Sequence, residues 1–514
     1  MGIAASGRSG NGSRAQGPVS VFNVQEFGAR PDKSTDATAA FQSAIDAAHN
    51  NGGGSVYVPP GDYVCGGMVL KSRVTLCLES GATVYARREP EAYQEAGPVL
   101  LSAKDAEHFS VLGPGTLHGQ ATEDLGRRPG AAYEPRPRFR TRILYFEDCR
   151  HVTLRDFTIL YSDSWACHLR RCEKVVIDAL TILNNYFRTN SDGIDPESCR
   201  DVRISNCHIT AGDDCICLKT TGGTPCEDIV VTNCTTESVA TAIKLGTGSE
   251  GDFRNIVISN CTVRNSTVGV GFFIKDGGTI EGVTVSNLTI ATVDDPMQVN
   301  AERLRNMIYP IFMDVEKRRE DSPVGAIRDV IFSNIAIRSD NGILIQGMTE
   351  SPIENLTLSN IVFRVTGPFD YAQREKHAGG TSNPNDDRIT LYARRPSYCM
   401  VANARNVVID NLHVAAEPQQ LKMFPKTALS LCNVEGALVR SIQRAPAKEG
   451  GPVIAMQHVH NALVTGCFAP ADTEIFLDLV DMKTRDVAIE GNDLRAAARV
   501  HHVRRTPQDD TPAR

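Results

Sequence analysis

The sequence predicts an all-β fold, a parallel β-helix, and two observations support that fold class. Short β-branched runs recur along most of the 514-residue chain, among them DVRISNCHIT, DIVVTNCTTE and NIVISNCTVR. One position of the run recurs at four successive intervals of 27 residues, at Leu180, Cys207, Cys234, Cys261 and Leu288. Three short strands fill a coil of that length, and stacked coils about 4.8 Å apart bury their inward side chains on one another.

The segment before the repeats predicts a cap. Residues 1–18 are rich in Gly, Ser and Arg, which predicts a disordered leader. Apolar residues spaced i, i+3 and i+4 then predict an amphipathic helix at about 36–49, with the apolar positions Ala40, Phe41, Ala44, Ile45 and Ala48. Ser34, Thr35 or Asp36 offers the N-cap, and we expect the helix to cover the apolar end of the first coil.

The repeats predict one domain between residues 19 and 500, although chain length alone would suggest several globular domains. Three insertions rich in Pro, Gly and charge interrupt it, at 119–142, 292–328 and 365–398. Loops that leave a rigid scaffold commonly form the walls of a binding cleft. Residues 501–514 predict a flexible tail.

The composition excludes two classes of partner. Charged residues make up 22% of the chain and the net charge is −7, without the basic stripe that nucleic-acid binding requires. No run approaches the roughly eighteen consecutive apolar residues of a membrane span, and the N-terminus shows no apolar signal core. The fifteen cysteines have no zinc-ligand or thioredoxin spacing, so we interpret them as small interior hydrophobes.

Two acidic turns stand about one short repeat apart, in NSDGID and AGDDCICLK. Aligned with TAIKLG and GFFIKD, their strands place four isoleucines in one inward stack, namely Ile194, Ile216, Ile243 and Ile274. Period-2 alternation then sends the next residues outward, which are Asp195, Cys217, Lys244 and Lys275. Asp192 and Asp214 each precede their isoleucine by two positions, so we expect them side by side on adjacent coils, with Asp213 at the same turn.

Three interpretations of this carboxylate cluster stay open on spacing alone. One protonated acid and one carboxylate base can hydrolyse a glycosidic bond, and crowding raises the pKa of one of them, as a general acid requires. Oxygen-rich turns also bind Ca²⁺, which would neutralise the cluster. Asp and Asn are, finally, ordinary turn residues. Mutual repulsion makes the cluster unfavourable unless a function or a cation maintains it.

The two motifs resemble those of the polygalacturonase-type glycoside hydrolases of family 28. NSDGID is similar to the family's Asn-Thr-Asp-Gly motif and AGDDCICLK to its Gly-Asp-Asp motif, in the family's order and separation. The resemblance runs from FNVQEFGARPDKSTDATAAFQSAI to about residue 415 and implies a right-handed parallel β-helix that inverts the anomeric centre without a metal or cofactor. It implies that Asp213 is the general acid and that Asp192 and Asp214 position and deprotonate water, with acid and base roughly 6.5–9.5 Å apart.

A segment one coil upstream, SDSWACHLRRC, resembles a family segment that carries a Trp and a His. Trp165 would stack on the apolar face of a sugar, and His168 would bond a hydroxyl. The alternative is that the indole is merely packed and the imidazole is satisfied within the protein. Asn190 is expected to orient its turn more than to touch substrate, and Lys219 would tune the acid or cap a turn.

The sequence departs from the family where uronate is bound. Thr241 stands in place of the histidine of Gly-His-Gly, and Phe273 in place of the arginine of Arg-Ile-Lys. Phe273 cannot grip a carboxylate as a guanidinium does, although Lys244 and Lys275 keep two cations nearby. An atypical member is therefore predicted, with Phe273 as an apolar contact. A rhamnogalacturonan-type or modified-uronate substrate is favoured over plain homogalacturonan.

The predicted function is an inverting glycoside hydrolase, polygalacturonase-like, that acts as a monomer on a pectin-like polysaccharide or oligosaccharide. Polymeric substrates lie outside cells, which favours a secreted or periplasmic protein by family analogy. The lack of a visible signal peptide and the many unpaired cysteines favour the cytoplasm instead. Two alternatives are a polysaccharide lyase or epimerase and a non-catalytic glycan-binding β-helix.

Overall fold

The chain winds as a parallel β-helix, and that prediction is confirmed. The computed structural model describes residues 20–93, 97–122, 139–293, 308–366, 397–416, 427–444, 451–481 and 483–503. Within these ranges the strands pair in parallel, each with the strand about one coil later in the chain. The coils are right-handed, the hand that parallel β-crossovers take.

The helices and strands follow in chain order. The first part contains β1 (Val21–Asn23), a 3₁₀ turn (Val24–Phe27), β2 (Asp32–Asp36), α1 (Thr38–Asn50), β3 (Gly54–Val58), β4 (Gly61–Cys65), β5 (Met68–Val69), β6 (Val74–Leu78), β7 (Ala82–Ala86), a second 3₁₀ turn (Pro90–Ala92), β8 (Val99–Lys104), β9 (Glu107–Leu112) and β10 (Thr116–His118). The middle part contains β11 (Arg142–Glu147), β12 (Arg150–Arg155), β13 (Thr158–Leu160), β14 (Cys167–Arg170), β15 (Glu173–Asp178), β16 (Thr181–Leu183), β17 (Ile194–Glu197), β18 (Arg200–Ser205), β19 (His208–Ala211), β20 (Ile216–Thr220), β21 (Cys226–Thr232), β22 (Thr235–Ser238), β23 (Thr241–Ser249), β24 (Phe253–Ser259), β25 (Thr262–Ser266) and β26 (Val268–Ile274). The last part contains β27 (Thr279–Thr292), β28 (Tyr309–Val315), β29 (Ala326–Ser339), β30 (Ile343–Gln346), β31 (Ile353–Val365), β32 (Ser397–Ala416), β33 (Thr427–Arg440), β34 (Gln443–Arg444), β35 (Ile454–Thr465), β36 (Thr473–Leu479), β37 (Arg485–Glu490) and β38 (Ala497–Val503).

Each coil contributes one strand to each of three faces. In the middle of the chain the first face consists of β11, β14, β17, β20, β23 and β26. The second face consists of β12, β15, β18, β21 and β24, and the third of β13, β16, β19, β22 and β25. From β27 onward single long strands bend across two faces, since β27 pairs with both β24 and β25.

Inward side chains stack in register along the helix axis. On the first face Ile194 pairs with Ile216 and Ile216 with Ile243, and on the second Ile229 pairs with Ile256. All five are fully buried. Burial of one such side chain stabilises a fold by roughly 1.5–3 kcal/mol. Because the inward side chains of each coil are buried against those of the neighbouring coils, no coil is stable alone.

The SNC and TNC of the repeats form the turn between the second and third faces. Asn206 and Asn233 adopt left-handed φ angles of 57° and 54°, a conformation that Asn tolerates better than most residues. The Asn233 amide donates to Asn206 Oδ1 over 2.5 Å, so these side chains form an outer ladder. The next residue turns inward and is a buried free thiol, as predicted, at Cys207, Cys234 and Cys261.

Helix α1 packs against the first coils as the predicted cap. It begins two residues later than predicted and ends one residue later, at Thr38–Asn50. Its apolar stripe is buried as expected, at Ala40, Phe41, Ala44, Ile45 and Ala48. Ala37 is the N-cap residue, and the Asp36 carboxylate accepts a hydrogen bond of 2.9 Å from the Thr38 backbone N–H.

The predicted bounds of the second insertion and of the tail are wrong. β28 lies inside the predicted insertion 292–328, yet it pairs with β26 and β30 as a strand of the first face. Its apolar sequence YPIFMDV has no SN turn of the kind that marks the other runs. β38 extends three residues into the predicted tail 501–514. The predicted leader lies outside the described residues, and so do parts of the three insertions, at 123–138, 294–307 and 367–396.

The structure contains little helix. No helix in the described ranges has the length and apolar sequence that a membrane crossing requires.

Candidate active site

The acidic turns lie at the start of first-face strands. Asp192 and Asp214 each lie two residues before Ile194 and Ile216, which pair in register, so they occupy the same position on adjacent coils. Asp213 lies at the same turn, and one carboxylate oxygen of each acid lies within 4.8 Å of the others. The structure therefore brings the three carboxylates together, as the motif spacing predicts.

Asp213 is the most accessible of the three acids. It is half-buried, whereas Asp192 and Asp214 are each 3% exposed. The backbone N–H of Asn190 donates to Asp213 Oδ2 over 3.0 Å, and that of Asp214 donates to Oδ1 over 3.1 Å. Asn190 has a left-handed φ of 54°, which aims its N–H at the carboxylate. Asn190 thus orients Asp213 through its backbone.

Asp214 is held as an anion by two lysines. Lys244 Nζ lies 2.8 Å from Asp214 Oδ2, and the Thr241 backbone N–H donates to Oδ1 over 3.1 Å. Burial raises the pKa of Asp214, but the Lys244 and Lys219 ammonium groups outweigh it and hold the pKa below its ordinary value. The carboxylate is therefore ionised at neutral pH, as a base must be.

Asp192 has the opposite environment. Burial raises its pKa well above the ordinary range, and the charges of Asp195 and Asp213 raise it further. Its Oδ1 has no hydrogen-bond donor among the described residues. The two carboxyl groups occupy the same position on adjacent coils, but their pKa values are shifted in opposite directions. Asp192 favours the protonated form and Asp214 the anion.

Asp195 and Lys219 complete the polar cluster. Lys219 Nζ lies 2.5 Å from Asp195 Oδ1 and 3.6 Å from Asp192 Oδ2. Burial raises the pKa of Asp195, which is fully buried, and Lys219 offsets part of that effect. The same ammonium lies 4.4 Å from the centre of the Trp165 ring, a cation–π distance. One oxygen of each of the three acids could also hold a cation, although the two lysines already supply positive charge.

Comparison with known proteins connects this geometry to a family. The profile of glycosyl hydrolases family 28 matches residues 52–378, more than half of the chain. The chain belongs to family 28. The acid cluster lies within the matched region.

Individual family 28 relatives and one further protein show how far the likeness extends. The exopolygalacturonase of Platanus acerifolia is 28% identical over 205 residues, which are 39% of this chain and 53% of that one. This chain thus spans about half the length of that curated relative. A hyperthermoactive exopolygalacturonase from Thermotoga maritima has the same fold, with a TM-score of 0.59, 23% identity, and coverage of 68% of this chain and 88% of the other. Alginate lyase 7 of Azotobacter vinelandii is 51% identical, but over only 61 residues, 10% of this chain and 7% of that one.

The Trp–His segment predicted from the family 28 resemblance lies next to the cluster. Trp165 is half-buried and precedes Cys167, which pairs with Ile194, by two residues, so it occupies the position of Asp192 one coil earlier. His168 is buried and meets the Trp165 ring edge-on at 4.7 Å between centroids.

Both ring nitrogens of His168 are engaged by the protein. Arg142 can only donate, so His168 Nδ1 accepts from Arg142 Nη1 over 3.1 Å, and Nε2–H donates to Glu197 Oε2 over 2.9 Å. Burial lowers the pKa of His168 more than Glu197 raises it, which keeps the ring neutral. A sugar hydroxyl could reach neither nitrogen without breaking one of these bonds. The geometry therefore favours the alternative in which His168 is satisfied within the protein.

The predicted alignment of Ile274 with Ile243, on the coils where the sequence departs from the family 28 motifs, is wrong. Ile243 pairs with Val270, and Lys244 with Gly271, because the 27-residue interval continues through this coil. Ile274 is therefore outside the stack of Ile194, Ile216 and Ile243, and Lys275 is not the outward neighbour of Lys244. In the same pairing Leu245 lies beside Phe272, so IKLG and FIKD are out of register although their sequences are alike.

Phe273 and Lys275 occupy different surroundings from those predicted. Phe273 is 5% exposed and packs in an apolar cluster with Phe312, with its ring 5.1 Å from Lys244 Nζ. Lys275 is buried, and its ammonium pairs with Glu316. Neither side chain presents an open surface to a saccharide. Thr241, in contrast, lies directly above Asp214 in the column of the acids.

Sequence reasoning underrated three residues. Asp195 was expected only to point outward, and it is the main partner of Lys219. Glu197 was not singled out, although the register pairs it with Lys219 and its carboxylate accepts from His168. Arg142 falls in a predicted insertion, yet it begins β11 and contacts His168. The outward alternation of strand positions was the one signal that could have identified them.

Proposed function

We propose that this chain is an inverting glycoside hydrolase that cleaves a pectin-like polysaccharide or its oligosaccharides. One observation carries the proposal: three carboxylates share one turn region, and lysines hold one of them, Asp214, as an anion. Membership of family 28 supports the reaction class. The chain spans only part of its curated relatives, so the activity is proposed for this chain on its own geometry.

In the proposed mechanism Asp213 gives its proton to the leaving glycosidic oxygen. It is the acid that a substrate on the surface can reach, and two backbone N–H groups fix its carboxyl group. Asp214 accepts a proton from the attacking water as the new bond forms at the anomeric carbon. Asp192, which favours its protonated form, hydrogen-bonds that water and orients it.

The separation of the acids differs from the expectation for inversion. Their closest oxygens lie within 4.8 Å, shorter than the roughly 6.5–9.5 Å of most inverting enzymes and near the 5–5.5 Å of retaining ones. A retaining enzyme, however, needs a carboxylate oxygen free to attack carbon. Lys244 and the Thr241 N–H engage the two oxygens of Asp214, which suits proton transfer from water better than nucleophilic attack. We therefore keep inversion as the proposal.

For the substrate we favour a rhamnogalacturonan-type or modified-uronate sugar at the cleavage point. Thr241, whose backbone N–H donates to Asp214, stands where the family motif has a histidine, so a threonine replaces the imidazole at this position. Phe273 stands where the family motif has an arginine and is buried against Phe312, so it supplies no guanidinium for a uronate carboxylate. A neutral or deoxy sugar fits these surroundings better than an unmodified galacturonate.

The proposal is tested with defined pectic, rhamnosyl and neutral oligosaccharides, with new reducing ends as the readout. We expect the native chain to release reducing ends from at least one uronate-containing substrate and Asp213→Asn to lose about 10²-fold or more of that rate. Asp201→Asn makes the same substitution on the second face, in β18, where Asp201 pairs with Arg203 over 2.8 Å, and should leave the rate unchanged. Equal rates for Asp213→Asn and the native chain would sink the catalytic assignment.

A lyase or epimerase is the alternative enzyme, and the short likeness to alginate lyase 7 is the observation that favours it. A lyase would generate a double bond that absorbs in the ultraviolet, whereas a hydrolase would not. Saccharide binding without any product would instead indicate a non-catalytic glycan-binding β-helix. Adding a chelator to the same reactions tests our expectation that no metal takes part.

We also propose that the protein works as a monomer outside the cytoplasm, secreted or periplasmic. Its polymeric substrate lies there, and family 28 proteins are typically extracellular. Cell fractionation and size-exclusion chromatography test these two points separately.

A further inference from the structure

Arg142 lies in the same column as the acids. It precedes Leu144 by two residues, and Leu144 pairs with Cys167, which pairs in turn with Ile194. Arg142, Trp165 and Asp192 therefore occupy one position on three consecutive coils. With coils about 4.8 Å apart, the Arg142 backbone lies about 10 Å from that of Asp192.

The guanidinium of Arg142 is positioned on its inner side. Arg142 Nη1 donates to His168 Nδ1, and Glu197 fixes the His168 tautomer from the other side of the ring. The guanidinium carbon lies 5.3 Å from the Tyr145 ring centre and 5.4 Å from that of Trp165. Among the described residues, the other four of the five guanidinium N–H donors have no hydrogen-bond acceptor.

No carboxylate of the described chain lies within 4.0 Å of the Arg142 guanidinium. The neighbouring arginines differ in this respect, since Arg140 and Arg188 both pair with Asp163. Arg142 is half-buried, so its charge is only partly solvated. A positioned guanidinium between two aromatic rings, without an acid of its own, is an arrangement suited to an external carboxylate.

We propose that Arg142 binds the carboxylate of a uronic-acid residue of the substrate, at a subsite on the N-terminal side of the acid cluster. The inference rests on the proposed function and specifies its substrate. The family motifs place their uronate-binding cations on the coils after the acids, where this chain has Thr241 and Phe273. In this chain the uronic-acid residue would then bind on the N-terminal side of the acid cluster, and a neutral or modified sugar would bind on the C-terminal side.

The test measures binding, in the full chain carrying Asp213→Asn so that the probe is not consumed. The probes are a galacturonic-acid trisaccharide and its methyl ester, titrated calorimetrically. Arg142→Met should weaken binding of the acid about tenfold to a hundredfold and leave binding of the ester unchanged, because only the acid forms a charged hydrogen bond. Arg142→Lys, which keeps the charge but loses the planar fork, should fall between the two.

Arg200→Met is the matched control. Arg200 is exposed on the second face, pairs with Glu173 over 2.8 Å, and should be replaceable without effect on either probe. Thermal unfolding of each variant checks the fold, and Arg142→Lys decides the question if Arg142→Met does not fold.

Several results would overturn the inference. They are unchanged affinity of Arg142→Met for the acid, an equal loss for both probes, and a parent protein that does not prefer the acid. Arg142-dependent binding of the acid by a native chain that cleaves no saccharide would refute the proposed function and leave this assignment standing.

Discussion

Replacing Lys244 with Met tests whether Asp214 is the base. Lys244 Nζ lies 2.8 Å from Asp214 Oδ2, and its side chain is 15% exposed, so water screens the pair only weakly. Without this ammonium, burial raises the pKa of Asp214, and only the Lys219 charge and the Thr241 backbone N–H are left to oppose it among the causes of the shift. The anionic form that accepts the proton of water then exists only at higher pH.

The size of the effect follows from the lost contact. A hydrogen bond between charged groups contributes roughly 1.5–3 kcal/mol. In a rate that needs ionised Asp214, this corresponds to a fall of roughly 10- to 150-fold in kcat/KM on the acid side of the pH profile. Because the native pKa of Asp214 is held low, the acid limb of the profile should move to higher pH.

The assay is a profile of kcat/KM against pH for the native chain, Lys244→Met and Lys244→Arg. We expect Lys244→Met to recover much of its activity as the pH rises, and Lys244→Arg to keep the native acid limb because it keeps the charge. Loss of activity by the same factor at every pH, with an unmoved acid limb, would refute the assignment of Asp214 as base.

Three further predictions concern stability. Lys219→Met removes the ammonium 2.5 Å from fully buried Asp195 and should lower the free energy of unfolding in urea by about 3–5 kcal/mol. Adding Asp195→Asn to this variant should restore part of the lost stability. A double variant that is no more stable than Lys219→Met would contradict the pairing. Ile256→Ala in the inward stack should lower the free energy of unfolding by about 2–5 kcal/mol. Val257→Ala, at a residue that is 39% exposed on the outward side, should lower it by less than about 1 kcal/mol. Equal losses for the two variants would contradict the register. Burial raises the pKa of Glu197, but hydrogen bonds from His168 and Thr221 and the charge of Arg170 outweigh it and lower the pKa from 4.5 to about 2. The stabilising effect of ionised Glu197, about 3 kcal/mol, is present above pH 4.5 and is lost as the pH falls through 2. Glu197→Gln should therefore flatten that part of a stability profile, and an unchanged profile would count against these interactions of Glu197.

Much of the fold follows from periodicity that the sequence displays openly. Stacking needs the same residue type at the same place in each coil, which is why Cys207, Cys234 and Cys261 mark the interval and why Asp192 and Asp214 could be placed together. The 27-residue interval also predicts which residues pair on adjacent coils better than local sequence similarity does. Local likeness between FIKD and IKLG puts Ile274 beside Ile243, whereas continuing the 27-residue count from Ile243 reaches Val270, the partner of Ile243 in the structure.

Other features of the site depend on side-chain directions and long-range partners. His168 looks like a sugar ligand in sequence, but Arg142 and Glu197, 26 residues before it and 29 after it, take both of its ring nitrogens. Lys219 likewise carries no mark of its partner Asp195 except their nearness in register. β28 was not predicted because its apolar sequence lacks the turn residues that mark the repeat elsewhere, so the repeat interval cannot be recognised there.

The anomeric configuration of the first product tests the central claim most directly. Proton NMR of the native chain acting on a defined uronate-containing oligosaccharide, recorded before mutarotation, shows whether one water enters opposite the departing sugar. We expect the new reducing end to appear with inverted configuration and without an unsaturated sugar. A retained configuration, or an unsaturated product, would contradict the roles given to Asp213 and Asp214.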